Sequence, residues 1–523
     1  MRIGVDVGGT NTDAVLMAGK TVLAATKSPT TEDVSGGIIA SIKTILERSG
    51  KKPADIEAVM IGTTHFTNAF VEAKHLLEVG IIRLSLPSAS GIPPLSDWPE
   101  RLLRAVGRHV YEVAGGYQYD GRENSALDER AIAQAAKEMR KKGLKAVAIA
   151  GIFSPINAAQ EDRAAQIVQQ EMPEARITLS HAIGRIGMIE RENAAIMNAS
   201  LASLSVKVVD SFRVALKKLG LHAPFYVSQN DGTLMSAEFV EQYPVLTFAS
   251  GPTNSMRGAA YLSGAKNAIV ADIGGTTTDI GVLSNGFPRE SSVTVDIGGV
   301  RTNFRMPDIF AIGLGGGSLV RVAKNSVTVG PDSVGFRLLE KGLAFGGDTL
   351  TASDIAVAAG AADMGDRSLV EHLDKGMVDQ AVDVIHRLLS EAVDRMKSSA
   401  AAAPLILVGG GSVLISRQIP GVSDILVPQN AAVANAIGAA IAQVGGEVDR
   451  VFSYEELGRD GALRAAKAEA SERALAAGAA LGTIEIVDVE ELPLQYVPGG
   501  AVRLRVRAVG ELAASGESRG AKA

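Results

Sequence analysis

Residues Ile269-Val270-Ala271-Asp272-Ile273-Gly274-Gly275-Thr276-Thr277-Thr278-Asp279-Ile280-Gly281-Val282-Leu283 read as an apolar strand, a glycine bend with hydroxyls, and a second apolar strand. The chain says nearly the same thing at its start, in Ile3-Gly4-Val5-Asp6-Val7-Gly8-Gly9-Thr10-Asn11-Thr12-Asp13-Ala14-Val15-Leu16. In both copies one aspartate precedes Gly-Gly-Thr and another follows three residues after that threonine. Asp6 to Asp272 and Asp13 to Asp279 share one offset of 266 (272 − 6 and 279 − 13).

A glycine pair at a hairpin bend lets backbone approach a bound group, because no Cβ intervenes. Successive amides at Gly8, Gly9, Gly274 and Gly275 can then form nests for phosphate oxygens, with hydroxyls of Thr10, Thr12, Thr276 and Thr278 as further donors. Asp6 and Asp272 are the expected holders of Mg²⁺, through its waters, since this ion dehydrates reluctantly. A single copy reads equally well as an ordinary hairpin with favourable turn residues; repetition at opposite ends of a long chain argues against that. A third place, the strand Leu405 to Val408 running into Gly409-Gly410-Gly411-Ser412, offers bare backbone for an adenine or ribose and a hydroxyl to bond it.

At 523 residues the chain has room for two or three domains. Its 57 glycines and 4% aromatics suggest many tight turns and alanine-rich packing. A net charge of −6 gives no electrostatic reason to expect nucleic acid or an anionic membrane as partner. The absence of cysteine excludes disulfides, thiol nucleophiles and cysteine-bound zinc. With no secretory segment read at the start, and with Ala431 to Val444 too short to span a bilayer, the expected location is cytoplasmic.

The remaining pattern is an antiparallel meander to Lys27, a helix capped by Thr31, and a strand ending in Gly62-Thr63-Thr64-His65-Phe66-Thr67-Asn68-Ala69. Alternating helices and strands follow from 127 to 179. A long helix beginning near Ile189 carries Glu190, Arg191, Glu192 and Asn193, expected in a solvated first turn. Ser250-Gly251-Pro252-Thr253-Asn254-Ser255 opens a helix that approaches either a nucleotide or the second hairpin. Small residues in Ala431 to Val444 suit close helix contact. Gly461 to Ala479 reads as a surface helix, and 483–487 with 502–506 as a hairpin around Pro498-Gly499-Gly500. Domain boundaries are expected at 1–183, 184–450 and 451–523.

In this order the elements resemble the ATPase core shared by actin, sugar kinases and heat-shock chaperones. That likeness implies an α/β fold of two actin-like (ribonuclease H-like) domains around an interdomain cleft, with a small C-terminal α+β segment. Within that superfamily the hairpin motifs, Gly62-Thr63-Thr64 with Thr67-Asn68-Ala69, Ser250-Gly251-Pro252, Gly315-Gly316-Gly317-Ser318 and Val329-Gly330-Pro331 resemble the hydantoinase A and 5-oxoprolinase family. The resemblance implies ATP and Mg²⁺ as cofactors and ATP-dependent opening of a cyclic amide by phosphorylation of its ring carbonyl. It also implies a partner subunit of the hydantoinase B type. Asp6 and Asp272 then act through the metal, and Asp13, His65 and Asp279 are the candidate bases. The alternatives are a small-molecule kinase of the same fold and an actin-like ATPase that activates a partner enzyme.

Overall fold

The strand Arg2–Val7 (β1) is covered on both faces. Ile3, Val5 and Val7 are buried with Ile38, Ile42 and Ile45 of the helix Val34–Ser49. On the other face Gly4 is required by the helix Ala434–Ala440, since a Cβ there would stand 2.1 Å from the Ala436 carbonyl oxygen. In the computed structural model all residues are described except 9–10, 30–33, 292–293, 324–325, 496–498 and 514–523. Gly9, Thr10, the expected cap Thr31, Pro498 and most of the tail therefore lie outside the described residues.

β1 folds back into Asn11–Ala18 (β2) and Thr21–Pro29 (β3), the expected meander, while Ala58–Thr63 (β4) runs parallel to β1 on its other side. The chain then builds a separate four-stranded parallel sheet. Its strands are Val79–Leu86 (β5), His109–Ala114 (β6), Ala146–Gly151 (β7) and Arg176–Leu179 (β8), in the order β6-β5-β7-β8. Parallel neighbours need long crossovers, and the helices Glu129–Lys141 and Ala159–Glu171 supply two of them.

The expected long helix is two, Met188–Ser200 and Ala202–Lys218, and Arg191, Glu192 and Asn193 at its start are buried while Glu190 is half-buried. Glu192 accepts hydrogen bonds of 2.7 and 2.6 Å from Arg83, and Arg191 donates to the carbonyls of Gly151, Arg185 and Ile186. The expectation of a solvated turn fails because these charges find protein partners, without which burial would be prohibitive.

Phe225–Ser228 (β9) and Thr233–Ser236 (β10) return to the first sheet, which continues through Gln443–Ser453 and Ala501–Gly510 to Glu485–Pro493, nine strands among the described residues. Sheet membership thus cuts across the boundaries expected at 183/184 and 450/451. The strand that straddles residue 450 pairs from Val444↔Gly510 to Ser453↔Ala501, so the C-terminal hairpin covers an edge that would otherwise be open. Tyr454–Ala476, broken at Gly458, lies on this extension with Ala462, Ala466, Ala470 and Ala474 fully buried on one face and Arg464, Lys467 and Glu472 exposed on the other, the surface helix expected.

A second sheet contains Ala268–Ile273 (β11), Thr278–Ser284 (β12), Ala403–Val408 and Val422–Leu426, with Phe287–Pro288 and Ile309–Ile312 beside β12. One face packs on the helix Lys375–Met396, the other on the helix Ser250–Ser263. That last helix crosses Ala434–Ala440 glycine to glycine. A Cβ on Gly258 would fall 1.9 Å from the Ala434 carbonyl oxygen, and one on Gly438 would fall 1.8 Å from that of Asn254. The small residues serve packing as expected, although the helix stops at Ala440 because Gln443 already begins a strand. The whole is a mixed α/β fold, and among the described residues no helix is long and apolar enough to cross a membrane.

Candidate functional site

The two quoted stretches form the same hairpin twice. Asp6 lies opposite Asp13 in the β1–β2 register, and Asp272 opposite Asp279 in β11–β12. Each bend is closed by the same backbone bond, Gly8 N to Asn11 O at 3.0 Å and Gly274 N to Thr277 O at 2.9 Å. Each first aspartate also leans over a glycine at the end of its parallel neighbour strand. A Cβ on Gly62 would sit 2.1 Å from Asp6 Oδ1, and one on Gly409 would sit 2.4 Å from Asp272 Oδ1. The likeness therefore extends to a third strand in each sheet.

Both bends line one cleft of about 500 Å³. Asp6, Asp13, Asp272 and Asp279 all reach it, and Lys27 is the one basic side chain among its described lining residues. Crowding and burial act strongly on these acids. Burial pushes the Asp6 carboxyl up to about 6, with amide hydrogen bonds from Asn254 and Asn435 pulling the other way and the charges of Asp13 and Asp272 pushing with burial. Burial also raises Asp272, offset by Ser255 and Lys27. Asp279, lacking such relief, is pushed up to about 7 by burial and by Asp272. Since Asp6 and Asp13 both act on Asp272 or feel it, the two hairpins face each other at electrostatic range.

Asp13 is held differently. Its Oδ2 accepts from Lys27 Nζ and from Asn435 Nδ2, both at 2.7 Å, while its buried Oδ1 takes no hydrogen bond among the described residues. Asn435 also donates to Asp6 Oδ2 at 3.1 Å, and Asn254 to Asp6 Oδ1 at 3.2 Å. Both amides come from the two crossing helices, so the helix junction positions the first hairpin's carboxylates.

Of the residues expected from sequence, Gly8, Gly274, Gly275, Thr276, Gly409, Gly410 and Gly411 line the cleft with the four aspartates. Ser412 heads a short turn behind them, its amide donating to the Gly409 carbonyl at 3.3 Å. Thr12 and Thr278 are fully buried and do not line the cleft, and the Thr278 hydroxyl donates to the Leu314 carbonyl at 2.6 Å. Strand alternation explains this. If Asp13 and Asp279 face the cleft, the residues two positions earlier, Asn11 and Thr277, share that face, and both line it. His65 is elsewhere, in a depression with His75, Lys74 and Lys207, where burial and then His75 lower its pKa. As a base for chemistry in the cleft, His65 is withdrawn.

Sequence reasoning missed Lys27, Asn254, Asn435, Asn11 and Thr277. It also missed an apolar wall of Leu338, Leu339, Phe345 and Met364. The loop Gly313 to Ser318 braces the second bend, and its Gly316 lines the cleft. Gly316 N donates to Gly274 O at 3.0 Å and Gly317 N to Gly275 O at 2.7 Å.

The donor set suits a hard cation that keeps its waters. Four carboxylates face one lysine, three of them with pKa values raised by burial and then by neighbouring carboxylates, so added positive charge is favoured there. Among the described residues no group of three or more His, Cys, Asp or Glu could hold a metal ion by itself.

Comparison with known proteins agrees with this geometry. Residues 2–172 match the hydantoinase/oxoprolinase N-terminal region, and residues 191–366 match hydantoinase/oxoprolinase. The chain is 28% identical over 440 residues to the caprolactamase subunit alpha of Pseudomonas jessenii, covering 80% of this chain and 62% of that one. It is 26% identical over 396 residues to the acetophenone carboxylase gamma subunit of Aromatoleum aromaticum, covering 68% of this chain and 53% of that one. It thus spans less than two thirds of the length of these relatives. The crystal structure of an ATP-dependent caprolactamase from Pseudomonas jessenii has the same fold, with a TM-score of 0.78 over 98% of this chain and 88% of that one at 20% identity.

Proposed function

The chain belongs to the hydantoinase/oxoprolinase family, and we propose that it is the ATP-using subunit of a cyclic amidase, acting on rings of the hydantoin or 5-oxoproline type with a partner subunit of the hydantoinase B kind. We read the sheet built on β1 and the sheet built on β11 as the halves of an actin-like, ribonuclease H-like ATPase. The observation that carries the reading is the pair of like hairpins lining one cleft. The names of the relatives, a caprolactamase subunit among them, support a carbonyl compound as the second substrate and support a partner.

A ring amide is a poor electrophile because nitrogen donates into its carbonyl. In the proposed step the carbonyl oxygen attacks the γ-phosphorus, the bond from that phosphorus to the β–γ bridging oxygen breaks, and ADP leaves. Water then adds to the activated carbon and the ring C–N bond opens, giving an amine and an acyl phosphate, from which a second water releases phosphate and leaves the carboxylate. Phosphoryl transfer needs positioning and charge stabilisation above all. The amides of the two bends, with Thr276 and Thr277, grip the phosphates, and Lys27 sets a cation between Asp13 and Asp272. Gly409 to Gly411 and the apolar wall receive the adenosine. Mg²⁺ held through water by Asp6 and Asp272 supplies neutralising charge to the phosphates. Of the expected bases, Asp13 is engaged by Lys27, which leaves Asp279 to accept a proton.

The likeness to a carboxylase subunit favours a second reading, in which the same phosphorylation activates a ketone. One assay separates them. Purified chain with Mg²⁺ and ATP is offered cyclic amides and ketones, with and without a hydantoinase B-type subunit. ADP release that depends on a ring amide supports the first reading, release that depends on a ketone supports the second, and release indifferent to either contradicts both.

A further inference from the structure

A second cavity, of about 700 Å³, lies outside the carboxyl ends of β7 and β8 and shares no lining residue with the nucleotide cleft. Ser154 to Ile156, just beyond β7, and His181 to Ile186, just beyond β8, form one wall; Glu447 to Ser453 and the start of the next helix form the other. Open parallel sheets bind their ligands outside the carboxyl ends of the strands, where several loops converge. Position alone would still allow an idle gap between loops.

The groups at its edge argue otherwise. Glu161 is fully buried, and its two oxygens accept from Gly151 N at 2.7 Å, Ser180 Oγ at 2.5 Å, His181 N at 3.1 Å and His181 Nδ1 at 2.7 Å. Anchoring Nδ1 fixes the ring of His181, which lines the cavity, and Nε2 stands 3.8 Å from Asp162 Oδ1. Beneath the same loop, buried Arg191 donates to the Arg185 and Ile186 carbonyls at 2.9 and 2.7 Å and to Ser180 Oγ at 2.9 Å. The loop is therefore held from below by one buried cation and one buried anion. Arg185 lines the cavity from this loop, its Nη2 donating to Glu290 Oε2 at 3.1 Å and its Nε, without a hydrogen bond among the described residues, standing 3.7 Å from Asp449 Oδ2. Glu161 also holds the imidazole in a form that protonates more readily than usual, its attraction outweighing the effect of burial.

We propose that this cavity is a binding site for a small molecule bearing a carboxylate, gripped by His181 Nε2 and the Arg185 guanidinium. A carboxylate fits better than a phosphate, because Asp162 beside His181 and Glu447 and Asp449 on the facing strand would oppose a dianion. The site stands apart from the nucleotide reading and does not depend on it.

The test uses the full chain with histidine selectively labelled for NMR, only seven such residues being present. Propionate, 5-aminopentanoate and inorganic phosphate are titrated separately, and calorimetry gives the affinities. The expected result is a saturable shift of the His181 ring signal with a carboxylate, unaltered by Asp272→Asn in the other cleft. Affinity should fall at least tenfold in His181→Gln and in Arg185→Gln. No saturable shift in the unaltered protein overturns the proposal without need of any variant. So does undiminished affinity in both variants, phosphate binding more tightly than either carboxylate, or loss of binding in Asp272→Asn, which would put the anion in the nucleotide cleft.

Discussion

Lys27 Nζ stands 2.7 Å from Asp13 Oδ2, and the residue in the matching register place beside Asp279 is Ala311. The duplicated hairpins are thus alike in backbone and carboxylates and unlike in this one charge. Asp13 has a cation at hand, whereas Asp279 has none and its carboxyl rises to about 7. One hairpin repeated twice yields two acids in different surroundings.

Replacing Lys27 with methionine removes the cation while keeping most of the packing. ADP release should fall about a hundredfold, the usual loss when a group aimed at developing charge is removed, while affinity for a fluorescent nucleotide changes less than tenfold. Asp13 would be left buried without its partner, which costs about 1–3 kcal/mol. Unaltered turnover would show that Lys27 does not touch the phosphates.

Asp6 and Asp279 carry folded pKa values of about 6 and about 7 against 3.8 unfolded. Between those values the folded protein binds more protons than the unfolded chain, so stability is greatest in acid and falls as pH rises toward 7. Without nucleotide or metal, Asp279→Asn should raise the melting temperature at pH 8 by at least ~2 °C and do much less at pH 5. Mg²⁺ should stabilise the unaltered protein more at pH 8 than at pH 5, since it replaces those protons. A substitution effect independent of pH would contradict the assigned pKa.

The space over each first aspartate is testable at Gly62 and Gly409. Their added Cβ atoms would lie 2.1 Å from Asp6 Oδ1 and 2.4 Å from Asp272 Oδ1, and Gly409 also has φ of +83°. Either alanine must displace its carboxylate, costing about 1–3 kcal/mol, with Gly409→Ala the worse because its backbone is strained as well. Thermal melts with nucleotide titrations check this, and normal affinity in both variants would argue that neither aspartate needs its present place.

Gly438→Ala probes the helix junction at a distance from the cleft. The new methyl meets the Asn254 carbonyl oxygen at 1.8 Å and must part the helices that carry Asn254 and Asn435. Nucleotide affinity should drop at least tenfold although no cleft residue is altered. Calorimetry with ADP provides the measurement.

The hairpins and the glycine strand end were legible because each is a local pattern, and their repetition at a fixed offset made the pattern specific. What was illegible came from distant partners. Lys27 reads as an ordinary strand residue until register sets it beside Asp13, and Asn435 as part of a packing helix until that helix crosses β1. Thr12 and Thr278 were misassigned although strand alternation could have sent them inward and brought out Asn11 and Thr277. Arg191 and Glu192 were expected in water because no sequence rule announces that β5 and the loop after β8 will offer their partners. That the chain returns twice to its first sheet, so that this sheet joins strands from either side of the expected boundaries, no local pattern announced.

The central claim is that both bends grip one triphosphate, and a crystal structure with Mg²⁺ and a non-hydrolysable ATP analogue tests it most directly. The account predicts phosphate oxygens within hydrogen-bonding range of amides from both the Gly8 and the Gly274 bends, with Lys27 against the terminal phosphate. A nucleotide resting on one bend alone, or bound outside this cleft, would contradict it.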